Sequence, residues 1–223
     1  VPETYRQIVP RPNDACRGDP APWTTLPAAR RSSIPVERLR RGLAHLATTP
    51  APSPPVHSAV LVPVVVRGGE AALVLIRRSA ALERDAGNLA FPGGHLEPGE
   101  EPLAAALRES QEEIGLDPGL VEVIGSFAVV ERVRGHERVV PFVGVVTGHP
   151  DYVADGHEVA AILEVPLASL AADGISWQER WDAPGRDAGV CFFAGTPELA
   201  DDLIWGLTAR IVWDLLAAVI AET

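Results

Sequence analysis

The chain has 223 residues, 47% of them hydrophobic and 22% charged, enough apolar material for one globular domain with a real core. Its formal net charge of −11 argues against non-specific binding to nucleic acid or to an anionic membrane. The two cysteines, Cys16 and Cys191, share no metal-ligand spacing and make no disulfide framework, so a reducing cytoplasm is the expected setting.

Residues 1–56 hold 11 of the 21 prolines, including Pro50, Pro52, Pro54 and Pro55. Proline removes backbone donors and blocks helix and ladder formation, so this N-terminal extension is expected to be extended or disordered. One interruption is a short helix near 33–47, where Val36, Leu39, Leu43 and Leu46 recur at helical spacing. It could dock on the core or on a partner chain. The start, VPETYRQIVPRP, has no continuous apolar stretch and predicts no secretion signal.

The compact domain is expected over 57–223. VHSAVLVPVVV and AALVLIR read as strands joined by a hairpin at Arg67-Gly68-Gly69-Glu70. A polar loop from Arg77 to Ala90 leads to Phe91-Pro92-Gly93-Gly94. Residues 102–114 read as a helix, with Pro102 in its first turn and Gly115 as its C-terminal cap. Strands follow at about 120–131, 138–147 and 158–165. A short helical piece comes next at Pro166 to Ala171, then a strand pair over 175–193 around Pro184-Gly185, and a last helix over 201–221. The apolar stretch 203–221 carries Arg210 and Asp214 at i, i+4, where they pair, and Leu203, Leu207, Ile211 and Leu215 on one stripe. It reads as a packed amphipathic helix and not as a membrane span. The pattern is α+β: a mixed β-sheet sandwiched between helices.

The chemistry is concentrated in GGHLEPGEEPLAAALRESQEEIGL, residues 93–116. On a helix, Glu112 and Glu113 lie about 60° and 40° to either side of Glu109, so three carboxylates share one face. Alone they repel by a few tenths of a kcal/mol. A hard divalent cation such as Mg²⁺ or Mn²⁺ reverses that sign, because it takes oxygen ligands. Gln111 and Ala105 fall elsewhere. Arg108, four before Glu112, can orient that carboxylate. Leu103, Ala106, Leu107, Ser110 and Ile114 form the stripe expected to face the core. A bare cluster of three glutamates would more often be a solvated acidic face; here more positions are fixed.

The segment resembles the Nudix box, Gly-x5-Glu-x7-Arg-Glu-U-x-Glu-Glu-x-Gly-U with U bulky and aliphatic. Gly94, Glu100, Arg108, Glu109, Glu112, Glu113, Gly115 and Leu116 fall in place. Ser110 stands where the family has an aliphatic residue; a buried serine there can bond back to the Ala106 carbonyl. The resemblance implies the Nudix fold and a strand–loop–helix site. In it Glu109, Glu112, Glu113 and the Gly94 carbonyl would ligate one to three Mg²⁺ or Mn²⁺ ions. Glu100 would support the loop or an outer ion, and Arg108 would orient the glutamates. The base that takes the proton from water would be Glu109 or a glutamate of a distant loop. Glu158, in Asp155-Gly156-His157-Glu158, is the candidate outside the box; its other reading is a strand-edge charge.

Upstream, VLIRRSAALERDAGNLAFPGG (74–94) is similar to the signature of coenzyme A pyrophosphatases. Val74, Leu75, Arg78, Ser79, Gly87, Phe91, Pro92, Gly93 and Gly94 match, Ile76 replaces a threonine, and Glu83 occupies an arginine position. VVPFVGVV, HEVAAILEVPLASL and IWGLTARIVWDLL also look like that family, so the resemblance spans about residues 57–216. It implies cleavage of coenzyme A or its thioesters to 3′,5′-ADP and 4′-phosphopantetheine, with Arg77, Arg78 or Arg84 meeting the 3′-phosphate. The other reading of these arginines is surface ion pairing with Glu83 or Asp85. Two alternatives stay open: another nucleoside-diphosphate-linked substrate such as NADH or an ADP-sugar, and a non-catalytic nucleotide- or partner-binding module. The implied partner is a small nucleotide, with no nucleic acid and no membrane; a homodimer is left open.

Overall fold

The computed structural model describes residues 7–46, 55–131, 137–183 and 186–221. The elements in chain order are β1 (Cys16–Arg17), α1 (Val36–Gly42), β2 (Ser58–Arg67), β3 (Glu70–Arg78), β4 (Leu89–Ala90), β5 (Gly93–His95) and α2 (Pro102–Ile114). They continue with β6 (Val121–Ser126), β7 (Val130–Glu131), β8 (Arg138–Val146), β9 (Val159–Pro166), α3 (Leu167–Leu170), β10 (Ser176–Ala183), β11 (Arg186–Phe193), β12 (Ile204–Trp205) and α4 (Gly206–Ala221).

The larger sheet has eight strands. Its main path runs β4-β3-β2-β8-β6, with β5 on β2, β7 on β8 and β9 on β3. β2 and β8 run parallel, Ser58 opposite Val139, and every other pair in it is antiparallel. β2 and β3 are joined by the expected two-glycine turn, Arg67 opposite Glu70.

Side chains alternate along β3, and so do their environments. Ala72, Val74 and Ile76 pack with Ala105, Ala106 and Ile114 of α2, whereas Ala71, Leu73 and Leu75 pack with Ile211, Leu215 and Val219 of α4. The mixed sheet therefore lies between α2 on one face and α1, α3 and α4 on the other, as the element pattern predicts.

Two features differ from the sequence reading. The strand pair over 175–193 is the centre of a second, four-stranded antiparallel sheet, β1-β10-β11-β12. β12 occupies residues read as helix: Ile204 and Trp205 pair with Phe193 and Phe192, and α4 begins only at Gly206. The second difference is the N-terminal segment. Over 21–46 it is packed against the core, whereas none of residues 7–20 is buried. Trp23 forms an aromatic triangle with Phe193 and Trp213, its ring centroid 6.4 and 4.9 Å from theirs, and Ile34, Leu39 and Leu43 are fully buried in the α4-side core. α1 docks on α4, within the same chain. The proline run at 50–54, the end of the predicted 33–47 helix and the Pro184-Gly185 turn lie outside the described residues. Among the described residues no helix is long and apolar enough to cross a membrane.

Candidate active site

Three elements meet at the α2 face of the large sheet: strand β5, helix α2 and the loop before β9. The Gly-Gly pair explains how closely the first two approach. Gly93 has φ +147°, and a Cβ there would sit 2.5 Å from Val60 Cα and collide with the Ala59 carbonyl; only glycine lets β5 pair on β2. At Gly94 a Cβ would lie 2.5 Å from Glu109 Cδ and 2.6 Å from its Oε1. The carboxylate of Glu109 occupies the space that any other residue at 94 would fill.

α2 ends where Gly115 adopts φ 68° and its N–H closes on the Gln111 carbonyl at 2.9 Å. Arg108 holds the acidic face together. Its Nε and Nη2 donate to Glu100 Oε1 and Oε2 at 2.9 and 3.0 Å. Its Nη1 donates to Glu109 Oε1 at 2.9 Å and Glu112 Oε2 at 3.1 Å, and Nη2 also reaches the His95 carbonyl at 3.2 Å. The spacing suggested only the Glu112 contact; the structure gives Arg108 three carboxylates and a carbonyl of β5. Beside this guanidinium, Glu100 is held far below the usual carboxylate range, at about 2.

Glu113 shares the helix face of Glu109 and Glu112 but lies at its buried edge. It is 5% exposed and accepts the Gly93 N–H at 2.9 Å. Burial pushes its carboxyl up to about 8; the Gly93 N–H and the Arg78 charge oppose that, while Glu109 and Glu158 reinforce it. Ala105 is buried as well, so the acidic face is wedged against the sheet along one flank. On the core stripe Ser110 is 1% exposed, and its hydroxyl donates to the Ala106 carbonyl at 2.6 Å, the back-bond expected of a buried serine.

Glu158, predicted from outside the box, is brought close enough to Glu113 to disfavour its charge. The Ser79 N–H donates to its carbonyl at 2.7 Å, which sets it at the end of β3 beside Arg78. The three candidate arginines separate. Arg78 lies on the α2 face, acts on Glu113, and has a buried Nε with no hydrogen-bond partner. Arg77, one residue earlier, turns to the other face and is ion-paired through Nε and Nη2 to Asp202. Strand alternation separates the two, and Arg77 is not brought to the carboxylates. Arg84 is exposed in the loop between β3 and β4. Sequence reasoning missed Asp202 as the partner of Arg77, and it missed Asp155, whose carboxylate gathers the backbone of the Glu158 loop. The Asp-Gly pair opening that loop was the available signal.

Among the described residues no group of His, Cys, Asp and Glu side chains is already arranged as a finished metal cage; Glu100, Glu109 and Glu112 are drawn instead to Arg108. The donor set nevertheless fits a hard divalent cation. Glu109 and Glu113 border Gly93 and Gly94, which carry no side chains, and the Gly93 N–H already holds the Glu113 carboxylate there at 2.9 Å. Glu109, Glu112, Glu113 and the Gly94 carbonyl could hold such an ion.

The Nudix domain family model matches residues 55–184. An uncharacterised Nudix hydrolase, NudL, of Cronobacter sakazakii is 39% identical over 151 residues, covering 60% of this chain and 78% of the relative. Its namesake in Klebsiella pneumoniae is 38% identical over 159 residues, covering 71% and 80%. Among solved structures, a MutT/nudix family protein from Enterococcus faecalis shares the fold, with a TM-score of 0.50 at 18% identity over 74% of this chain and 62% of that one. A glycine strand against an acidic helix, an arginine gathering its glutamates and a family match over more than half of its length make this chain a member of the Nudix hydrolase family.

Proposed function

We propose that the chain is a Mg²⁺- or Mn²⁺-dependent pyrophosphohydrolase that cleaves coenzyme A, or its thioesters, between 3′,5′-ADP and 4′-phosphopantetheine. The observation that carries the reading is the Gly93-Gly94 strand lying against Glu109 and Glu113, with the unpartnered Nε of Arg78 on the same face.

In this reading Glu109, Glu112, Glu113 and the Gly94 carbonyl hold the cation, Glu100 supports the loop, and Arg108 keeps the glutamates in place. When bound, the cation neutralises diphosphate oxygens and acidifies a water. Glu158 or Glu109 is the carboxylate that would take the proton from the water as it replaces the bridging oxygen on one phosphorus and the other phosphate leaves. Arg78, on the site face, and Arg84, on the exposed loop, are the arginines left to meet the 3′-phosphate once Arg77 is paired with Asp202. Glu83, at a position where the coenzyme A signature has arginine, favours a second reading within the same chemistry: NADH, an ADP-sugar or another nucleoside-diphosphate substrate.

The test is turnover of coenzyme A, NADH, ADP-ribose and a dinucleoside polyphosphate with Mg²⁺ or Mn²⁺, products being separated by chromatography. Release of 3′,5′-ADP from coenzyme A is expected, and joint substitution Glu112→Gln and Glu113→Gln should abolish it. Turnover of another nucleotide with none of coenzyme A under either metal overturns the substrate assignment. Turnover of nothing leaves the non-catalytic, nucleotide-binding module as the better reading.

A further inference from the structure

The loop that carries Glu158 is organised by one side chain. Asp155 Oδ1 accepts from the N–H groups of His157, Glu158 and Val159 at 3.2, 3.1 and 2.9 Å, and Oδ2 shares the Glu158 N–H at 3.2 Å. An Asp side chain closes such a turn by bonding the backbone that follows it. The turn is also bonded outward. The Asp155 N–H donates to the carbonyl of Glu113 at 3.1 Å, and the Val153 N–H to that of Ile114 at 3.0 Å. The loop is thus bonded to the last turn of the helix that carries the acidic cluster. On its other side the Glu158 carbonyl takes the Ser79 N–H at the end of β3. The β3–β9 register also shifts there: Arg77 faces Ala161 and Arg78 faces Val159, leaving Ala160 over. Bulges of this kind re-aim neighbouring side chains. Backbone bonds therefore fix the Glu158 segment against α2 on one side and β3 on the other, and both sets meet at Asp155 and its turn.

We propose that Asp155 is a positioning residue that fixes the Glu158 carboxylate relative to Glu113 and Glu109. It acts through the backbone of residues 157–159 and touches neither substrate nor metal. The proposal rests on the role for Glu158 given above.

Four predictions separate this from simple structural support. Asp155→Ala should lower kcat about tenfold or more with KM within about twofold, because misplacing a reacting group costs rate more than binding. Asp155→Asn keeps an Oδ1 acceptor and should restore most of the rate. In a Glu158→Gln background, Asp155→Ala should lower the rate by less than about twofold, since residues acting as one unit are non-additive. Amide hydrogen exchange gives a reading without turnover: residues 157–159 should lose protection in Asp155→Ala and keep it in Asp155→Asn, while α2 stays protected in both. An undiminished loss in the Glu158→Gln background, a defective Asn variant, or unchanged amide protection in Asp155→Ala overturns the proposal. A fully active Glu158→Gln enzyme with an impaired Asp155→Ala overturns it too. A wild-type chain inactive on every nucleotide overturns the proposed hydrolysis instead, and the exchange data then show by themselves whether Asp155 holds the backbone of residues 157–159.

Discussion

Gly93 and Gly94 are adjacent, yet a methyl group added at each should have opposite consequences. At Gly94 the obstacle is the end of a flexible side chain, the Glu109 carboxylate, which can swing away. Gly94→Ala should therefore fold with stability within about 1 kcal/mol of the parent but lose about 100-fold in kcat, because the displaced group belongs to the proposed site. At Gly93 the obstacle is backbone of β2, and φ is +147°; Gly93→Ala should cost on the order of 3 kcal/mol. Urea denaturation and single-turnover rates on both variants check the contrast, and equal stabilities would refute it. At this scale the sequence was informative wherever a fixed spacing implied a helix face. Glu112 stands beside both Glu109 and Arg108 because 3.6 residues make a turn, and the Ser110 back-bond follows from the same geometry. The burial of Glu113 was not legible, since it depends on where β5 lies across the end of α2.

Among the elements, the main strands and both long helices follow from apolar periodicity, and the two-glycine hairpin from its turn residues. The N-terminal segment was misread for a physical reason. Proline content reports the lack of backbone donors, which excludes ladders and long helices, but says nothing about whether side chains find a core. Here two 3-10 turns and α1 carry Trp23, Ile34, Leu39 and Leu43 into it without a ladder of their own beyond the short β1. Trp23 is 1% exposed, and Trp23→Ala should destabilise the chain by about 3–5 kcal/mol. A shift in the denaturation midpoint well below that range would mean the segment is held only loosely. The second sheet escaped notice because β1 and β12 are two-residue strands, too short for any alternation to register.

Across the whole molecule, two sheets and two core faces place the thiols in contrasting settings. Cys16 is exposed on β1, whereas Cys191 is fully buried on β11, where burial pushes its thiol up to about 11 against the opposing Gln178 contact. At pH 8 a thiol reagent should therefore label one cysteine per native chain and two after denaturation. Rapid labelling of both in the native protein would show that the β10–β11 sheet opens readily.

The central pairing of the large sheet joins β2 to β8, 81 residues apart at the Ser58–Val139 register. Trp23, near one end of the chain, is in ring contact with Trp213, near the other. Contacts this distant along the chain delay folding, because the loop between them must be closed before they contribute any stability. For a chain leaving a ribosome, the α2 face can assemble once Val159 of β9 has emerged, but the opposite core must wait for the last turns of α4. Until then Leu39, Leu43 and the α4-facing valines of β2 lack the α4 side chains that complete their burial. Synthesis of this protein thus includes an interval in which half of its interior is on the outside, and a holding chaperone would have a surface to bind.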